Sequence, residues 1–201
     1  MRRRTLLASV GVGVLGVGSG CSGGDGRRQV SIVDQDAIAE EYGVEVEAEV
    51  TRDRITPEAT ATIDVTTTNR RSPKATLVDG SFSCHMLNRG KAGSEPRGLW
   101  LYRPEVGDHI ERDGDEWQPA PSESHPGPFD GYACLPEPYA AGESVTTRYE
   151  VWDDPRTDEY LAPGQYRFGR EIPVWDDPDA TDRSEDVRLS WGFTVSVDRS
   201  Q

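Results

Sequence analysis

From residue 44 onward, apolar and polar positions alternate with a period of two. In "VEVEAEV", Val44, Val46, Ala48 and Val50 alternate with Glu45, Glu47 and Glu49. Successive side chains of a strand leave opposite faces, so this is the pattern of a half-buried antiparallel strand. "TATIDVTTTN" repeats it, with Ala61, Ile63 and Val65 expected on one face and threonines on the other. "KATLVDG", "GLWLYRP" and "ESVTTRYEVWDD" follow as β-branched or aromatic runs closed by turn residues. Asp113 and Gly114 in "ERDGDEW" predict a hairpin joining the His109 region to Trp117. "GQYRFGREI" and "VRLSWGFTVSV" predict the last two strands, and "VDQDAIAEEYG", residues 33–43, is the one stretch suited to a short helix. Many short strands without a sustained helical period predict an all-β fold, an antiparallel β-sandwich.

The amino terminus breaks this pattern. "MRRRTLLASVGVGVLGVGSGCSGGDG" sets an arginine cluster before a short Gly- and Val-rich apolar stretch and small residues leading to Cys21. That is the layout of a targeting segment. Arg3 and Arg4, followed by Thr5, Leu6 and Leu7, resemble a twin-arginine export signal. Gly18, Ser19 and Gly20 before Cys21 resemble a lipobox, although Gly18 stands where a bulky aliphatic residue is usual. A spanning helix needs about 20 strongly apolar residues, which Thr5 to Gly20 does not supply. The resemblance implies lipid on Cys21 and a domain held on the outer membrane face; an ordinary secretory signal cut nearby is the alternative. The expected organisation is a signal over 1–20, a lipidated Cys21 with a flexible tether over 21–28, and one domain over 29–201. Gly11, Gly13 and Gly16 satisfy G-x-G-x-x-G, and Gly20, Ser22 and Gly24 satisfy G-x-S-x-G. Neither lies between a strand and a helix of a folded domain, so neither carries chemistry.

Charge narrows the partners. Residues 1–20 hold three arginines and no acid, so the rest carries 19 basic against 36 acidic residues, a net of −17. Lys74 and Lys91 are the only lysines. Acid excess with lysine depletion resembles proteins of salt-loving archaea. At about 1 M salt the Debye length is about 3 Å, so the repulsion within such a surface is largely screened. The absence of a basic stripe to displace counterions from phosphates argues against a nucleic-acid partner, and none is expected. Membrane contact apart from the lipid anchor is disfavoured for the same reason.

"YLAPGQYRF" sharpens the fold. Leu161, Pro163, Gly164 and Tyr166 resemble the turn into strand F of immunoglobulin-like domains, where a tyrosine hydroxyl bonds back across the corner. Together with "ATIDVTTTN" and "AAGESVTTRYEVWDD", this resembles the immunoglobulin-like domains of lipoproteins exported by haloarchaea, over residues 44–69 and 99–197. The resemblance implies an immunoglobulin-like antiparallel β-sandwich and supplies no catalytic residues. Residues 80–98 and 118–142 are less regular and rich in Gly, Pro and Ser. Loops of that length are usually functional or tied down.

Both remaining cysteines lie there. With Cys21 lipidated, Cys84 and Cys134 form an even pair outside the cell, a context that favours a disulfide. Two free thiols and a soft-metal site are the alternatives. "GYACLPEPYAAGE" is similar to the copper loop of small blue-copper proteins, but Glu137 and Glu143 stand where His and Met ligands belong, and at least three strands are expected after Cys134. In "SCHM", adjacent side chains of a strand diverge, so Cys84 and Met86 converge while His85 does not; His109 or His125 would have to complete a site. No metal and no other cofactor is expected.

"VWDDP" occurs twice, at 151–155 and 174–178. The plain reading is two strands that each end in an inward aromatic and an acidic turn. The functional reading makes Trp152 and Trp175 a platform, with Asp153, Asp154, Asp176 and Asp177 binding sugar hydroxyls or a divalent ion. "DDPDATDRSED" is not an EF-hand loop, because Asp182 and Arg188 replace the required Gly and Glu. Paired acids are too abundant for two to be singled out as a general acid and base. The expected function is a non-catalytic surface lipoprotein, an interaction, adhesion or envelope-assembly module with a surface protein or glycan as partner. A membrane-anchored binder of carbohydrate or metal is the second reading, and a hydrolase using two carboxylates is the third. Sandwiches host all three roles.

Overall fold

The computed structural model describes residues 27–71, 77–79, 93–103, 111–120, 137–174 and 187–200. Their strands, in chain order, are β1 (Arg28–Gln35), β2 (Val44–Arg52), β3 (Arg54–Ile55), β4 (Thr62–Asn69), β5 (Leu77–Asp79), β6 (Leu99–Tyr102), β7 (Arg112–Asp113), β8 (Glu116–Pro119), β9 (Glu137–Tyr139), β10 (Ser144–Asp153), β11 (Gly164–Val174) and β12 (Val187–Arg199). Two four-stranded sheets form, one ordered β11-β12-β1-β3 and the other β2-β4-β10-β6. The pairs β5-β9 and β7-β8 stand beside them. Every ladder is antiparallel. The fold is all-β and sandwich-like.

The period-two pattern explains which faces meet. Val44 and Val46 of β2, Ile63 and Val65 of β4, and Tyr149 and Val151 of β10 are buried together with Phe168 of β11 and Trp191, Phe193, Val195 and Val197 of β12. One continuous core thus joins the two sheets. Burying each large side chain contributes about 1.5–3 kcal/mol. Trp191 also needs a partner for its indole N–H, and it donates to the Asp36 carbonyl at 3.1 Å.

Several expectations are corrected. Residues 33–43 do not form a helix: β1 continues to Gln35, and only a 3-10 turn, Glu40–Tyr42, follows, closed by Gly43 at φ 60°. The chain needs this segment to cross from one sheet to the other, and the left-handed conformation at Gly43 ends the turn. Arg28, placed in the tether, is the first strand residue, and its Nε donates to the Leu161 carbonyl at 2.9 Å. The threonines of β4 are not all on the solvent side, since Thr67 shares the core face of Ile63 and Val65 and is buried. The hairpin at residues 113–116 is present, with Gly114 at φ 60° in its first central position, where a type II′ turn requires glycine. It joins Arg112 to Trp117, and His109 lies outside the described residues. The segment 118–142 contributes β9, which pairs with β5 through Asp79 and Glu137, Val78 and Pro138, and Leu77 and Tyr139.

Candidate functional site

The carboxy-terminal end of β10 gathers aromatic and acidic side chains. Tyr149, Val151 and Asp153 point to the core side, so Trp152 must point outward. Trp152 is nonetheless buried, because the β7-β8 hairpin folds over this part of the sheet. Trp117 of β8 meets Trp152 edge-on, with centroids 5.5 Å apart and planes at 85°. Tyr102, on β6 beside β10, lies at 5.5 Å and 60°. The Trp152 indole N–H donates to Glu150 at 3.1 Å, and that of Trp117 donates to the Thr56 carbonyl at 2.7 Å. Arg112 caps the outer side of Trp117 with its guanidinium 4.5 Å from the ring centre. Such aromatic and cation–π contacts each contribute about 0.5–1.5 kcal/mol beyond area burial.

Asp153 and Asp154 differ sharply despite being neighbours. The Asp153 carboxylate accepts the Leu161 amide at 2.7 Å and is 2 % exposed. Burial pushes its pKa up to about 7, the Leu161 N–H offsets part of that rise, and the charges of Asp154 and Glu116 add to it. Burial acts upward on Asp154 as well, but the hydrogen bonds from Arg156 outweigh it and hold Asp154 below the usual carboxylate range. Arg156 binds it in a two-pronged fork, Nε and Nη2 each at 2.7 Å, while its backbone amide donates at 3.1 Å. The same guanidinium lies 5.0 Å from the centre of the Trp100 ring. Both acids therefore fasten the turn over 154–161. In this arrangement they are anchors of the backbone, turned away from solvent.

Tyr160 and Tyr166 complete this end of the domain. The Tyr160 hydroxyl accepts the Trp117 amide at 2.8 Å, linking the hairpin to the turn. The Tyr166 hydroxyl donates to the Ala162 carbonyl at 2.6 Å, the bond across the corner that the sequence led us to expect. Gly98 packs against its ring so closely that a Cβ there would stand 2.2 Å from Tyr166 Cε1.

Of the residues singled out from the sequence, Trp152, Asp153 and Asp154 come together here. Arg3, Arg4, Cys21, Cys84, Cys134, Trp175, Asp176 and Asp177 lie outside the described residues, as do His85, Met86, His109 and His125. Among the described residues no group of three His, Cys, Asp or Glu side chains is arranged to hold a metal ion. No helix among them is long and apolar enough to cross a membrane. Sequence reasoning missed Trp100, Trp117, Arg112, Arg156 and Tyr160. Arg156 had a local signal, since a cation two residues after an aspartate in a Pro-containing turn is placed to fork onto it. Trp117 had one in its position just past the Asp-Gly hairpin. No family model, no curated protein and no solved structure matches this chain.

Proposed function

We propose that this chain is a non-catalytic cell-surface lipoprotein whose immunoglobulin-like domain serves as an interaction, adhesion or envelope-assembly module. The order of strands supports the immunoglobulin-like part of this reading. Taking β2, β4, β6 and β10 as strands A, B, D and E, the sheet order β2-β4-β10-β6 agrees with the A-B-E-D order of an immunoglobulin constant-type domain. β5 then takes the place of C, lying against β11 as F, with β12 as G beside it. The bond from Tyr166 to Ala162 near the start of β11 agrees with a tyrosine corner at the E–F turn. β1 and β3 extend the sheet beyond G.

Arg3, Arg4 and the Cys21 context support export and lipid anchoring. The ligand-binder reading draws less support from its own residues, because Trp152, Asp153 and Asp154 are buried in internal contacts.

The test is Cys21→Ser in the native host. Wild-type protein is expected in the membrane fraction, with lipid on the Cys21 peptide by mass spectrometry and with its domain open to a surface-labelling reagent. The variant is expected in the medium. A variant that stays with the membrane, or wild type that labels only after lysis, overturns the reading.

A further inference from the structure

Among the described residues, the side of the sandwich at β1 and β2 is open. Among the described residues no strand pairs with the outer edge of β2, and β3 covers β1 only at Arg28 and Gln29. Two adjoining grooves of about 750 and 570 Å³ run along this seam and meet at Gln35. A bulge between Ile32 and Asp34 turns Val33 outward, and it is half exposed at the groove. No other large hydrophobic side chain among the described residues is so exposed.

The β2 edge already shows how it binds a partner. The Ala48 amide points away from β4 and donates to the side-chain carbonyl of Gln35 at 3.0 Å. By the alternation of an antiparallel ladder, the main-chain groups of Val44, Val46 and Val50 face the same way. Gln35 thus occupies, at one position, the place of a carbonyl from an added strand. Exchanging it for a backbone carbonyl costs little, because one amide–carbonyl bond replaces another.

Charge selects the occupant. Glu40, Glu47, Glu49 and Asp53 line the seam without an ion-pair partner among the described residues. Its one lining cation, Arg70, is held by Glu45 at 2.6 Å. Asp34 and Asp36 are held by Arg167. A second copy of β2 would set glutamates against glutamates, which is unfavourable. We propose that the β2 edge and its groove receive an extended segment of a partner protein that carries alternating arginine or lysine, added as a strand by main-chain bonds. This names the partner class for the interaction module proposed above and rests on that reading.

The probe is a blocked, fluorescent seven-residue peptide alternating valine with arginine, titrated by anisotropy into the full-length protein in mild detergent. Saturable binding is expected. Affinity should fall by about tenfold or more for a valine–glutamate peptide and for the Glu47→Lys, Glu49→Lys double variant. It should also fall for the arginine peptide with all its amides N-methylated. Both glutamates are exposed, so the variant should keep its melting curve, which is recorded alongside. Absence of binding, equal binding of the N-methylated peptide, or unchanged affinity in the variant overturns the proposal. So does a homodimer at this edge that the peptide does not displace. Surface labelling in the Cys21 experiment is independent of these outcomes, so failure here leaves the broader reading standing.

Discussion

Leu161 donates its amide to the Asp153 carboxylate across 2.7 Å while its backbone stands at φ 44°. A left-handed conformation costs a non-glycine residue about 1–2 kcal/mol, so this buried acceptor holds a turn that the chain would otherwise relax. The same burial lifts the Asp153 pKa to about 7.

Asp153 gives the first prediction. A carboxyl whose folded pKa exceeds its unfolded value binds its proton more tightly in the native state. Its contribution to stability is complete below about pH 4, declines as pH rises, and is lost above about 7. Asp153→Asn keeps an acceptor for Leu161 and removes the ionisation. Denaturant melts should show the variant more stable at pH 7.5, by at most about 4 kcal/mol, with the gap closing toward pH 4. A wild type more stable than the variant at pH 7.5 would contradict the buried, proton-holding state.

The corner formed by Tyr166 supports a second prediction. Tyr166→Phe removes the bond to Ala162 and should cost about 1–2 kcal/mol in a thermal or denaturant melt. Gly98→Ala should cost more, because its Cβ would meet the ring at 2.2 Å and force the corner open. If the alanine variant is the milder of the two, the close packing of residue 98 on Tyr166 is wrong.

How far these features could be read in advance depends on the length of each pattern. β2, β4, β10, β11 and β12 were legible because eight or more residues alternate, long enough for one face to declare itself. β1 was not. Ile32 and Val33 stand side by side at its bulge, which breaks the period and mimics the start of a helix that Ala37, Ile38 and Ala39 continue in composition alone. β3 and β7 have two residues each, too few to show any period. At the site, repetition drew attention to Trp152, Asp153 and Asp154. Their meaning depended on Trp117 and Arg112, which reach them from a hairpin about 35 residues earlier in the chain, and no local pattern announces that closure.

Arg156→Gln tests the partition between the two aspartates. The variant leaves the Asp154 carboxylate buried and short of its fork. With Arg156 nearly half exposed, its removal should cost about 1–3 kcal/mol at neutral pH. Asp154, held below its usual range in the wild type, contributes stability that is present above the unfolded pKa and lost as pH falls through the folded one. The deficit of the variant should therefore shrink in acid. Because the guanidinium also covers Trp100, a change in tryptophan emission should accompany it; equal stability at neutral pH would sink the assignment.

The net charge of −17 outside residues 1–20 predicts a fold that salt strengthens. From about 0.1 M to about 1 M the Debye length contracts from about 10 to about 3 Å, which removes repulsion between carboxylates that are not paired. Ion pairs such as Arg148 with Asp64, at 2.7 Å and partly exposed, weaken over the same range, but exposed pairs contribute only about 0–1 kcal/mol each. The unfolding midpoint should thus rise with potassium chloride. A midpoint that falls would mean that attraction, and not repulsion, dominates the surface.

The β5-β9 ladder supplies the last prediction. Asp79 pairs with Glu137 at one end of it. Cys84 follows Asp79 by five residues, and Cys134 precedes Glu137 by three, so each cysteine lies within a few residues of this paired position. Spanning at most about 3.5 Å per residue, both can return to the Cα separation of about 5.5–6 Å that a disulfide requires. Closing a loop of about 50 residues would contribute about 4 kcal/mol in the chain-entropy model. Non-reducing peptide mapping of protein from native envelopes should yield a linked Cys84–Cys134 peptide. Reductant should lower the melting point of the wild type and leave a Cys84→Ser, Cys134→Ser variant unchanged. Two thiols that alkylate in the folded protein would rule out the bond, and the ladder between β5 and β9 would then have to hold these segments together without a covalent tie.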